Sequence, residues 1–119
     1  MRRTTAAGAL LLSALALAPA AISHAGAAKS KTIKIGDNFF APDSAKVAKG
    51  TEVVWRWPSA GGDTHDVKLR SGPKGVKKFH SDYASSDFSF ARTLKKPGKY
   101  VVICTLHADV MRMTIRVKR

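Results

Sequence analysis

The 119-residue chain carries 21 Lys and Arg against 8 Asp and Glu, a formal net charge of +13, and a single cysteine. That length accommodates one domain, and an apolar share of 45% is too high for a disordered chain. One cysteine excludes an internal disulfide framework and a Cys-only metal cage, and so short a chain leaves little room for a large buried catalytic cleft.

The first segment reads as a leader and not as part of the fold. Arg2 and Arg3 give a positive start, residues Ala6 to Ala21 are almost all small or apolar, and Ser23-His24-Ala25 or Ala25-Gly26-Ala27 offer small-residue processing sites. The strongly apolar core, Ala9 to Ala18, is shorter than the ~20 residues a membrane span needs. Residues 1–27 are therefore expected to be a cleaved signal peptide and residues 28–119 a single exported domain. No cysteine lies near the processing region, so no lipid anchor is expected there. Processing after Ala27 leaves 92 residues with a formal charge of +11. A domain of that size buries only a little over ~60% of its unfolded surface. Small exported domains usually gain support from disulfides or a metal, and a disulfide within this chain is impossible.

Beyond the basic lead-in at Ala28 to Lys31 the hydrophobic period is two. Ile33 and Ile35 alternate with Thr32 and Lys34, and Ala45 and Val47 form a short extended run. Val53, Trp55 and Trp57 share a face, as do His65, Val67 and Leu69, then Phe88 and Phe90 through Leu94. Tyr100, Val102 and Cys104 alternate with Val101 and Ile103, and Met111, Met113, Ile115 and Val117 alternate with polar residues. This is the pattern of half-buried strands. Turn chemistry separates them at Gly36-Asp37, Pro42-Asp43, Lys49-Gly50, Pro58 to Gly62, Ser71-Gly72-Pro73 and Pro97-Gly98. Residues Pro73 to Ser86 are less regular and are expected to form a long crossover with a helical turn or a short edge strand. The pattern predicts an all-β, Greek-key antiparallel sandwich of seven to eight strands.

The chemistry concentrates in Cys104-Thr105-Leu106-His107-Ala108-Asp109-Val110-Met111, between the last two expected strands. A thiol, an imidazole and a thioether lie within eight residues, and His65 stands on an apolar face elsewhere. Two His, one Cys and a weak axial Met are the donors of a type 1 copper site. Imidazole suits both Cu(II) and Cu(I), whereas thiolate and thioether favour the softer Cu(I). Met113 shares strand parity with Met111 and is the other axial candidate; with Ile115 and Val117 it is expected to point into the core.

Further residues resemble one family. Phe40-Ala41-Pro42, Val47, Gly50 and Val53-Val54-Trp55, then His65-Asp66-Val67, Pro97-Gly98-Lys99-Tyr100 and Cys104-x-x-His107 with Met111 follow in order. Together they resemble the cupredoxins, of the small plastocyanin, amicyanin and pseudoazurin type, over Thr32 to Val117. The resemblance implies a blue copper protein that passes single electrons between redox partners and is not itself an enzyme. It implies His65, Cys104, His107 and Met111 as ligands. It makes His107 the surface edge for electron transfer, in an apolar patch that Ala108, Val110, Pro58 and Ala60 would complete. Three positions depart from the family pattern: Ala108 stands where Pro is common, Met111 follows His107 by four residues where three is common, and Asp66 stands where Asn is common. An Asn there both donates and accepts, whereas an ionised Asp only accepts.

The positive field favours a redox partner with an acidic docking surface. The expected leader, and the absence of exposed aromatic platforms between basic residues, argue against nucleic acid. The domain is expected to be a monomer without a stable membrane anchor. His80 is expected to be an ordinary crossover residue. The same ligands would also serve a copper-binding module for delivery, storage or sensing, and a metal-free adhesive sandwich is the remaining class.

Overall fold

The computed structural model describes Ser13 and residues 29–119. Apart from Ser13, the expected leader and its processing positions lie outside the described residues. Eight strands follow in chain order: β1 (Ser30–Gly36), β2 (Phe39–Ala41), β3 (Ser44–Val47), β4 (Thr51–Trp57), β5 (Lys68–Ser71), β6 (Phe88–Leu94), β7 (Gly98–Ile103) and β8 (Arg112–Val117). A single 3-10 turn, Thr105–His107, lies between the last two. The strands form two four-stranded sheets, ordered β2-β1-β4-β6 and β3-β8-β7-β5. Most neighbours are antiparallel, while β1 with β4 and β3 with β8 run parallel.

Alternation along the strands sends one set of side chains between the sheets. Ile33, Ile35, Val53, Trp55 and Trp57 from the first sheet meet Leu69, Tyr100, Val102, Met113, Ile115 and Val117 from the second, all buried. Full burial of one such aliphatic side chain contributes about 1.5–3 kcal/mol. Trp55 sits at the centre, with the rings of Phe79 and Phe90 at 5.9 and 6.0 Å. Its indole N–H donates to the sulfur of Met113 at 3.3 Å.

Two segments differ from the periodic reading. The strand expected from His65 begins only at Lys68, because the preceding residues pair with the crossover instead. His65 exchanges both backbone hydrogen bonds with Ala84, and the Val67 N–H donates to the Ser81 hydroxyl. The crossover from Pro73 to Ser86 contains neither a helical turn nor an edge strand, only the single bridges of His80 with Lys68 and Ala84 with His65.

The topology brings four loops to one end of the sandwich. β1 finishes there at Gly36, β4 at Trp57 and β7 at Ile103, and β8 starts there at Arg112. Asp63 N–H donates to the Asp37 carboxylate at 3.0 Å, and Asp87 N–H to the Pro58 carbonyl at 3.3 Å. The hydroxyls of Tyr83 and Thr105 lie 3.3 Å apart. These contacts join residues 37–38, 58–67, 81–87 and 104–111 into one surface.

Candidate metal centre

At this end the structure brings together three of the four expected ligands. Nδ1 of His65, Sγ of Cys104 and a ring nitrogen of His107 all lie within 4.8 Å of one another. The Cys104 sulfur is 3.8 Å from His65 Nδ1 and 3.6 Å from His107 Nδ1. A trigonal site with bonds of about 2.0 Å to nitrogen and 2.3 Å to sulfur sets S···N edges near ~3.7 Å, so a first-row metal ion fits between these donors. His65 and Cys104 are buried, while His107 is partly exposed.

Backbone contacts explain why Met111 belongs to the same loop. Cys104 N–H donates to the Met111 carbonyl, and the N–H groups of Met111 and Val110 both donate to the His107 carbonyl, at 2.8 and 3.1 Å. The loop is thereby closed on itself, and Met111 is fully buried. Met113 holds the indole N–H of Trp55 with its sulfur, which places it in the core, as the alternation predicts.

Two carboxylates tie the candidate ligand segments from outside. Nε2 of His65 faces Oδ1 of Asp37 at 3.0 Å. With its proton shared to that carboxylate, the ring keeps the Nδ1 lone pair directed at the donor cluster, the arrangement that fixes tautomer and orientation in metal-bound histidines. This hydrogen bond, followed by the Asp63 N–H, holds the Asp37 carboxyl below its ordinary value. Asp66, fully buried, accepts the Thr105 N–H on Oδ1 and the Thr105 hydroxyl on Oδ2, both at 2.7 Å. It thus bridges the two ligand segments with the acceptor-only chemistry of a carboxylate. Burial pushes its carboxyl up, but the Thr105 donors and His80 outweigh burial and hold it low. Burial likewise pushes the Cys104 thiol up, against the N–H groups of Asp66 and Leu106, which point at its sulfur.

His80 is more than an ordinary crossover residue. Its ring is partly exposed, yet Nε2 reaches Oδ2 of the buried Asp66 at 2.5 Å. Around His107 the surface carries Leu106, Val110 and Tyr83, all more than half exposed. Val110 was anticipated, whereas Leu106 and Tyr83 join the patch because the 3-10 turn and the crossover present them there. Trp57 is buried and lines a cleft shared with Asp37 and His65, at the ligand end of the core.

Known proteins share both sequence and fold with this chain. The sequence model of the copper-binding proteins of the plastocyanin/azurin family matches residues 27–118. Halocyanin from Natronomonas pharaonis is 37% identical over 75 residues, covering 60% of this chain and 44% of the halocyanin, so the match spans less than half of that relative. Among solved structures, a reduced amicyanin variant superposes with a TM-score of 0.64 at 21% identity, over 75% of this chain and 82% of that one. A pseudoazurin from Sinorhizobium meliloti gives 0.62 at 20% identity, over 76% and 75%. A copper-containing nitrite reductase from Thermus scotoductus gives 0.60 at 26% identity, over 74% of this chain but only 22% of the reductase.

Proposed function

The chain belongs to the plastocyanin/azurin family of copper-binding proteins, and from that premise we propose that it is an exported carrier of single electrons. Its copper would be held by His65, Cys104, His107 and Met111. The observation that carries this reading is the convergence of two imidazole nitrogens and one thiol sulfur within 4.8 Å. Bound copper would be held by these two imidazoles, the thiolate and the thioether, and would supply a Cu(II)/Cu(I) couple.

The chain's own residues do the rest. Burial pushes the Cys104 thiol up, and as a copper ligand Cys104 would give up that proton. The N–H groups of Asp66 and Leu106 would stabilise that thiolate. Asp37 keeps His65 in the ligating tautomer, and Asp66 locks the loop that carries Cys104 and His107. Four protein donors would leave no open position for a substrate, which favours a carrier over an enzyme. Residues 1–27 would direct export.

His107 is the edge through which electrons pass, and Leu106, Val110 and Tyr83 form the contact around it. A redox partner would dock over this contact, with its acidic groups confined to the flank where Lys68 and Arg112 open β5 and β8 beside the aspartate-bearing loops. The test is optical. Adding Cu(II) to the apoprotein should produce intense visible absorption from thiolate-to-copper charge transfer, and Cys104→Ser should abolish it. A colourless wild type, or a variant with the same band, refutes the site.

A further inference from the structure

Acidic charge among the described residues is concentrated at one end of the sandwich. The four loops at the candidate copper end, residues 37–38, 58–67, 81–87 and 104–111, contain six aspartates and not one Lys or Arg. The other described residues, Ser13 included, hold all 19 Lys and Arg of residues 29–119 against two acids, Asp43 and Glu52. The β3-β8-β7-β5 sheet carries six cations and no acid on its strands.

These cations have no acidic partners. Among the described residues the ion pairs are His65 with Asp37 and His80 with Asp66, and no Lys or Arg takes part in one. Like charges even stand in register: Lys46 is opposite Arg116, and Arg116 opposite Lys99, in one row across β3, β8 and β7 near the end away from copper. Directly opposed like charges destabilise a sheet. The next turn at that end adds Lys95 and Lys96, and Lys118 follows β8. An arrangement that costs stability in the free protein gains when an external anion neutralises it.

We propose that this pole and the adjoining sheet edge are an adsorption face for an anionic lipid bilayer, which holds the protein with its copper end directed away from the membrane. The choice of end rests on the copper reading above; the adsorption itself does not. A redox partner is a poor fit for this pole. The six residues of β8 separate it from the ligand loop by about 20 Å, so a partner seated there would lie far from His107. Protein interfaces centre on large aromatic or aliphatic anchors. The exposed large apolar residues here, Phe39, Tyr83, Leu106 and Val110, all lie at the copper end or next to it. A charged plane needs no such anchor, because every lysine near it contributes. It would also repel the aspartate-bearing loops, which sets the orientation.

Co-sedimentation of the exported form, residues 28–119, tests this with vesicles of phosphatidylcholine alone and with about one-third phosphatidylglycerol, at low and high salt. Binding should require phosphatidylglycerol and fall steeply with salt, since surface attraction decays within a Debye length. Each charge near an anionic surface changes partitioning by about fivefold, so Lys46→Gln, Lys95→Gln and Lys99→Gln together should weaken binding on the order of 100-fold. The matched Lys→Arg triple should retain it. Removing the same charge nearer copper, with Lys34→Gln, Arg56→Gln and Lys68→Gln, should cost less than about tenfold. Hydrogen exchange on vesicles should slow at residues 48–50 and at Lys95 and Lys96, and not at 105–110. Equal binding to neutral vesicles, equal loss in the two Gln triples, or protection centred on 105–110 overturns the proposal. All readouts are independent of copper, so its failure leaves the carrier reading standing, and the reverse.

Discussion

Asp66 is the residue whose removal is most informative. Its carboxylate is fully buried and takes both Thr105 donors at 2.7 Å and the ring of His80 at 2.5 Å. Asp66→Ala leaves the Thr105 N–H and hydroxyl without an acceptor, at about 1–3 kcal/mol for each group that stays buried. The His80 contact, half open to solvent, adds little. The expected loss is about 3 kcal/mol, a large part of the ~5–15 kcal/mol that holds a domain together. For a domain of this size that corresponds to a fall in melting temperature of about 12–24 °C. Asp66→Asn restores one acceptor for the N–H and offers an amide donor to the Thr105 oxygen, so it should cost about 1 kcal/mol. Urea unfolding of the apoprotein, followed by tryptophan fluorescence, measures both, and an unchanged m-value shows that stability alone has moved. The sign of the pH dependence follows from the lowered carboxyl. Its contribution is complete above the ordinary value near 3.8 and is lost as pH falls through the lower folded value. Asp66→Asn should lack that acid limb. An Asp66→Ala variant within 0.5 kcal/mol of wild type, or an Asn variant less stable than the Ala variant, would refute this account of the bridge.

Other perturbations probe separate parts of the molecule. Asp37→Ala removes the carboxylate that faces His65 Nε2, and outer carboxylates of this kind are worth about 10–100-fold in metal affinity. Voltammetry should show a raised reduction potential, with Asp37→Asn in between because its amide oxygen still accepts; an unchanged potential and affinity in Asp37→Ala would remove Asp37 from the site. Ala108→Pro should destabilise the apoprotein by more than about 1 kcal/mol, although φ at Ala108 is −59° and suits a proline ring. Proline drives the preceding residue out of the helical region, and that residue is His107, the last of the 3-10 turn. Thermal melts of the two proteins that coincide would contradict this. Gly98 lies at φ +137°, and a Cβ there would meet Pro73 Cγ at 2.7 Å. Gly98→Ala should therefore cost about 2 kcal/mol, and a melting temperature within 2 °C of wild type would count against it.

The sheets were legible because burial on one face leaves a period of two that short-range chemistry rarely imitates. Val53, Trp55 and Trp57 show it, and all three are buried. The candidate ligand loop stood out because Cys104, His107 and Met111 are close in sequence and of rare type. What failed to show was everything set by pairing across the fold. His65 to Leu69 alternates like a strand, yet the first three residues pair with the crossover, because Ser81 and Ala84 offer the partners that β7 does not reach. Asp37 is a complete turn residue on local grounds, so nothing in its surroundings announces a contact with a histidine 28 positions away. His80 is hidden for the same reason: its partner lies 14 residues back and inside the protein. The segregation of charge needed the topology as well, since the six aspartates come from four separate loops.

The departures from the family pattern make physical sense together. With Ala at 108 the chain can keep His107 in a helical turn, and that turn is what lets the Met111 and Val110 N–H groups both reach the His107 carbonyl. A four-residue spacing from His107 to Met111 is the span of the turn closed by the Met111 N–H on the His107 carbonyl, so the longer loop and the missing proline are consequences of one conformation. That conformation lacks the stiffness a proline ring would supply. Asp66 supplies stiffness from outside the loop, since one carboxylate holds both donors of Thr105, the residue that follows Cys104. The same charge would raise the energy of a thiolate beside it, but the N–H groups of Asp66 and Leu106 point at that sulfur and oppose the effect. A carrier of the kind proposed would need ligands that stay in place when the charge of its metal changes by one. Here His65 is tied through Asp37, the Cys104 segment through Asp66, and His107 through the backbone of its own loop, so each donor is held by a contact that does not depend on the metal.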